Sequence, residues 1–223
     1  MKKLFSGEVC ELLPLSNGII FSYCKERMED DKAEIAYKMI SFEDGRISDI
    51  AKNIYLLSKF GNNYKAVLEY GENFIADKAL VLTGGKVFLM RAGGEAYFLD
   101  SDTTPLWTGN LTYRSAPPSD IALYNNALWA SYDEHNVLLR YNLSTMREEL
   151  RIGGNKSPFD KPSGLFVQGD SVIVSNRGSG KLLQVNLNTY GVTEREVFEE
   201  TVYQYLAVSD YRFVILKSGL YLI

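Results

Sequence analysis

Residues 152–188 read IGGNKSPFDKPSGLFVQGDSVIVSNRGSGKLLQVNLN, and the punctuation of this stretch decides the fold. Apolar Leu165-Phe166-Val167 runs into the turn residues Gln168-Gly169-Asp170-Ser171. Val172-Ile173-Val174 follows, then a polar loop from Ser175 to Lys181, then Leu182-Leu183-Gln184-Val185. Short runs of β-branched residues and leucine, split by Gly, Asn and Asp, are strands joined by tight turns, because those residues supply the backbone angles that turns need.

Working outward, the same unit recurs. An apolar residue, four turn residues and a second apolar residue appear as Leu15-SNGI-Ile20, Leu82-TGGK-Val87, Leu123-YNNA-Leu128, Val167-QGDS-Val172 and Val208-SDYR-Phe213. Each is followed by a third strand, and the turn leaving that strand repeats as Asp100-SD-Thr103, Asn142-LS-Thr145 and Asn186-LN-Thr189. Two independent landmarks keep one period of about 40–50 residues, the signature of a β-propeller with about four strands per blade. The expected fold is therefore an all-β propeller of five blades, a single domain over residues 1–223. The insertion at residues 50–74 leaves room for a degenerate sixth blade, although Tyr64–Tyr70 alternates as a hairpin would. The unit ending at Ile223 lacks an outer strand, and the strand-like Lys3–Val9 is expected to fill that place, closing the ring and hiding two edges.

One unit carries a resemblance. Phe159-Asp160-Lys161-Pro162-Ser163-Gly164-Leu165-Phe166-Val167, with Ser171–Asn176 after it, resembles an NHL repeat, and Pro118–Leu123 with Ala127–Asp133 is a looser copy. Asn176 stands where that family usually has Asp. The resemblance implies a propeller and says little about activity.

Composition narrows the function. Hydrophobic residues make up 46% of the chain, and no apolar run approaches a membrane span. A net charge of −4 disfavours a nucleic-acid partner, which calls for clustered Lys and Arg. The opening Met1-Lys2-Lys3 is interrupted by Ser6, Gly7 and Glu8 before any leader could form, so the expected compartment is the cytoplasm. If the first turn spans Ser16–Ile19, Cys10 faces Lys25 and Cys24 faces Glu11. The two thiols then lie on opposite faces of the sheet and stay free.

Propeller geometry places the loops after each second strand, and those leading into each blade, on one face around the central channel. That face gathers Arg91, Tyr132, Asp133, Asn176, Arg177 and Lys217, the candidate ligand-binding set, with three cations suited to carboxylate or phosphate oxygens. The expected partner is a protein or a small anionic ligand. A single histidine, His135, excludes a multi-histidine metal site, so no catalytic group, metal or cofactor is assigned. The reading is a non-catalytic binding or scaffolding propeller. Two alternatives stand beside it. One is a metal-dependent, lactonase-like hydrolase, for which Asp133 and Asn176 fall near candidate positions while Asp210 lies in an inner-hairpin turn on the other face, so that no full ligand set forms; the other is a lectin stacking a sugar on Trp107 or Trp129.

Overall fold

The computed structural model describes residues 1–27, 33–61, 67, 70 and 78–223. Five antiparallel four-stranded sheets stand in a ring. Blade one is built from β2 (Val9–Leu15), β3 (Gly18–Arg27), β4 (Ala33–Ser41) and β5 (Ile47–Ile50). Blade two holds β6 (Lys78–Val81), β7 (Val87–Met90), β8 (Glu95–Leu99) and β9 (Pro105–Asn110). Blade three holds β10 (Asp120–Tyr124), β11 (Ala127–Tyr132), β12 (Val137–Asn142) and β13 (Glu148–Gly153). Blade four holds β14 (Pro162–Gln168), β15 (Ser171–Asn176), β16 (Lys181–Asn186) and β17 (Val192–Val197). Blade five is β18 (Val202–Val208), β19 (Tyr211–Leu216), β20 (Gly219–Leu222) and, as its outer strand, β1 (Lys2–Ser6).

The N-terminal strand thus closes the ring, as the sequence implies, pairing Lys2 with Leu222 and Ser6 with Gly219. It is shorter than expected, because Gly7 turns the chain with φ at +136° before β2 begins at Val9. Phe5 anchors it by packing at a tilt on Phe21 and Tyr23, with ring centroids 5.1 and 4.8 Å away.

Each interface between neighbouring blades has its own apolar cluster. The second strand of a blade is sandwiched, so its residues alternate between two neighbours. In β11, Leu128, Ala130 and Tyr132 face blade two while Trp129 faces blade four. That is why these strands are apolar throughout instead of alternating with polar residues. The turns after the third strands use their first residue as an anchor. Asn142 Oδ1 accepts from the Ser144 and Thr145 N–H groups at 3.0 and 3.2 Å, and Asn186 Oδ1 accepts from Asn188 and Thr189 at 2.9 Å each.

Three expectations need correction. The inner-hairpin turns of blades one, three, four and five have two central residues, so Leu15 pairs with Gly18 and Val208 with Tyr211; the four-residue turn fits only as an outer pair in blades three and four. In blade one a bulge then falls at Cys10, between the Val9–Tyr23 and Glu11–Ser22 pairs. The bulge cancels the alternation that would have turned the thiols apart. The Cys24 N–H donates to the Glu8 carbonyl at 2.9 Å, beside Cys10, and burial, with Glu8 and Cys24 nearby, pushes the Cys10 thiol up to about 11. Both cysteines are free.

The third correction concerns the insertion, which opens as a helix, α1 (Lys52–Phe60), ending at Gly61 with φ at +59°. Tyr55, Leu56 and Phe60 bury against blades one and two. The spacing Tyr55–Lys59 and Leu56–Phe60 is helical, and no strand alternation competes with it there. The expected hairpin at 64–70 lies outside the described residues except for Val67 and Tyr70, as do residues 28–32 of the charged loop after β3. Five blades make the ring, and the described residues form no sixth.

Candidate functional site

The inner strands β2, β6, β10, β14 and β18 are neighbours around the channel. In blades one, three, four and five the residue five places before the inner turn faces the axis: Glu11, Asp120, Gly164 and Gln204. Lys78 of blade two joins them, and together Glu11, Lys78, Asp120 and Gln204 line a cavity of about 120 Å3. Polar side chains here bind the next inner strand. Asp120 Oδ2 accepts from the Leu165 N–H at 2.8 Å, Gln204 Oε1 accepts from the Leu12 N–H at 3.1 Å, and Ser163 donates to the Tyr203 carbonyl at 3.2 Å. Inner strands of a propeller cannot ladder with one another, so these bonds satisfy backbone groups that would otherwise be orphaned. Gly164 has no side chain because a Cβ there would lie 2.5 Å from the Tyr203 carbonyl oxygen.

Helix α1 sends two groups to Glu11. Lys59 Nζ lies 2.6 and 2.9 Å from its two oxygens, and the Tyr55 hydroxyl donates to Oε2. The Lys59 side chain is only 6% exposed. Burial pushes the Glu11 carboxyl up, but the charges of Lys59 and Lys78 and the two hydrogen bonds outweigh it and hold the group below its usual range. Asp120 is the reverse case. Burial pushes its carboxyl above the usual range, and the more distant Lys78, 3.6 Å away, offsets only part of that. Lys78 itself is held protonated, chiefly by Asp120.

The six residues expected at the mouth are brought together only in part. The loops do share one face: the Arg177 N–H donates to the Lys161 carbonyl and the Lys217 N–H to the Thr201 carbonyl, each joining a second-strand loop to the connection leading into its blade. Arg177 pairs with Asp133 across blades four and three. Arg177 and Lys217 line one cavity of about 370 Å3, and Lys217 also lines its neighbour of about 520 Å3, beside Tyr203 and Cys10. Arg91 is engaged around blade two, donating to the Tyr70 carbonyl at 2.8 Å and pairing with Glu95 at 2.6 Å. Tyr132 is fully buried, its hydroxyl 2.8 Å from that of Tyr141. Asn176 is also buried, and among the described residues neither end of its amide has a partner.

Other candidates fare similarly. Trp129 is core, while Trp107 is half-buried with its ring 6.5 Å from that of Phe88. His135 packs edge-on to Tyr113, with ring centroids 5.3 Å apart. Among the described residues no three of His, Cys, Asp and Glu group as a metal site would need. Nor is any described helix long and apolar enough to cross a membrane.

No protein-family profile matches the chain, and no curated protein matches it in sequence. Many solved structures share its fold. Saccharomyces cerevisiae Sqt1 aligns at 13% identity over 96% of this chain and 71% of its own, with a TM-score of 0.55. Myxococcus xanthus glutaminyl cyclase aligns at 10% identity over 98% and 93%, with a TM-score of 0.52. Virginiamycin B lyase from Staphylococcus aureus aligns at 11% identity over 96% of this chain, with a TM-score of 0.52. The chain spans 63% of that lyase, less than two thirds of its length. Likeness at these identities shows the propeller fold and nothing finer.

Proposed function

We propose that the protein is a binding propeller, one cytoplasmic domain, that takes an anionic group at the mouth between blades four and five. The group belongs to a small molecule or to an acidic segment of a protein partner. The observation that carries this reading is Lys217: its ammonium has no partner among the described residues, and it lines two adjoining cavities, one shared with Arg177. Of the acidic neighbours, Glu200 accepts from the Ser218 N–H and hydroxyl and Glu8 pairs with Arg27, while Glu199 also lines the cavity that Arg177 and Lys217 share. The original set of six reduces to Arg177 and Lys217 as ligand contacts, with Asp133 holding Arg177 in place. The NHL-like motif at 159–176 supports the same reading, as a scaffold motif that leaves the loops to carry specificity.

Lys217→Ala and Arg177→Ala should leave folding intact and weaken binding of whichever di- or tricarboxylate or phosphate ester stabilises the native protein in a thermal-shift panel. A panel with no stabiliser, in a protein that also captures no acidic peptide from an array, would remove the proposal. A hydrolase reading rests on a separate observation, the acid, ammonium and carboxylate groups in the channel. Their mutual pairing favours a structural role, and turnover of lactones with or without divalent metal would reverse that judgement.

A further inference from the structure

Lys78 is a channel ammonium whose one ion-pair partner among the described residues, Asp120, is held at a long distance. Lys59 meets Glu11 at ordinary charge-assisted distances, whereas Lys78 Nζ stops 3.6 Å from Asp120 Oδ1, beyond hydrogen-bond length. An ammonium carries three donors, and among the described residues no acceptor lies within hydrogen-bond length of Lys78 Nζ. Its side chain is 29% exposed, and part of what it faces is the cavity of about 120 Å3. Gln204 adds a second donor. Because the Leu12 N–H must meet an acceptor, the amide oxygen is fixed on Leu12 and Nε2 is the end left over. Leu80, Ile121 and Leu165 complete the wall with apolar surface.

We infer that this cavity is a binding site for a small monocarboxylate, formate- to acetate-sized, whose oxygens accept from Lys78 Nζ and Gln204 Nε2. Size sets the class. At roughly 30 Å3 per liquid water the cavity holds the equivalent of about four waters, enough for acetate and too little for citrate or a sugar phosphate. Lys78 and Gln204 are the donors on a lining that also carries the Glu11 and Asp120 carboxylates, and Ala79, Leu80, Ile121 and Leu165 offer a smaller apolar surface to a short alkyl end.

The surrounding charges make the uptake proton-linked. From the elements around the cavity, Glu11 and Cys10 of β2, Lys59 and Tyr55 of α1, Lys78 of β6, Asp120 of β10 and Gln204 of β18 face it or one another. With both carboxylates charged, Glu11 and Asp120 balance Lys59 and Lys78, and an added anion is uncompensated. Protonating Asp120 restores the balance and frees Lys78 for the ligand. Glu11, locked by Lys59 and Tyr55, stays ionised. Affinity therefore rises as the solution is acidified toward the range in which Asp120 takes up its proton.

Formate, acetate and nitrate, each against chloride at equal ionic strength, should be titrated into the intact protein at about pH 5.5 and about pH 8, by calorimetry and by thermal shift. Saturable binding of acetate and formate is expected, up to about tenfold tighter per pH unit on the acidic side. Gln204→Glu keeps the acceptor for Leu12 and replaces the donor by a negative charge, so it should weaken acetate by more than about tenfold. Lys78→Met serves as the second variant. Should neither channel variant fold, the wild-type titration alone decides. No saturable signal beyond chloride at either pH overturns the site. So does unchanged acetate affinity in a folded Gln204→Glu or Lys78→Met protein, and nitrate binding without carboxylate binding overturns the ligand class.

Discussion

Two ion pairs in this molecule have similar chemistry and opposite surroundings. Arg177 and Asp133 meet across the mouth, with the arginine side chain 41% exposed. Lys59 and Glu11 meet beside the channel, with the lysine 6% exposed. At the mouth, water reaches the arginine freely and the 20%-exposed Asp133 in part, and screens the attraction, so the pair contributes ~0–1 kcal/mol. Beside the channel, either partner left alone is a stranded charge, and removing one typically costs ~3–5 kcal/mol. The loop cations that draw the eye in a sequence are thus the ones the fold least needs. Those it depends on are a carboxylate inside a strand and a lysine in an insertion.

The largest effect should come from the frame that holds both pairs. Deleting residues 1–6 removes β1, whose ladder bonds are worth ~0.5–1.5 kcal/mol each, together with the Phe5 packing on Phe21 and Tyr23. Against a total of ~5–15 kcal/mol, the truncated chain should lose most of its cooperative unfolding transition, as followed by circular dichroism. A melting temperature within a degree or two of the full chain would show that the seam is dispensable.

Next in size is Lys59→Met, expected to destabilise by ~3–5 kcal/mol in denaturant melts. Arg177→Ala should cost ~0–1 kcal/mol in the same experiment. Equal costs would erase the distinction drawn between channel and mouth.

The channel carboxylates should also shape the pH dependence, in opposite senses. Asp120 binds its proton more tightly folded than unfolded, so stability rises as pH falls through its raised value toward about 3.9. Glu11 binds its proton less tightly folded, so its contribution is present above about 4.3 and is lost as pH falls through its depressed folded value. A stability maximum on the acidic side of neutral follows. Asp120→Asn should remove the rise and Glu11→Gln the fall; a profile unchanged by both would refer the titration to other groups.

The ring itself was legible, because turn chemistry repeats: Asn142 and Asn186 stand in step with their hairpins and anchor equivalent turns. Closure by the first strand was legible for the same reason, since one blade lacked an outer member. Register in blade one was not, since a two-residue turn and a bulge at Cys10 shift the pairing without changing composition. Tyr132 was misplaced although its parity with Leu128 and Ala130 points it into the core. The channel layer had a signal that went unread: Glu11, Asp120, Gly164 and Gln204 each stand five residues before an inner turn. That regularity emerges only once the turns are known to have two residues. Lys59 was hidden by reading the insertion for strand alternation further along, when Tyr55–Lys59 and Leu56–Phe60 already had helical spacing.

The comparison of the two pairs is tested most directly by a double-mutant cycle on Glu11→Gln and Lys59→Met. Once the carboxylate is neutral, the lysine should have little left to lose. The double variant should therefore be more stable than the sum of the single losses predicts, by at least ~1 kcal/mol and within the ~0.5–3 kcal/mol seen for residues in one network. Additivity within ~0.3–0.5 kcal/mol, as for distant independent sites, would contradict the account.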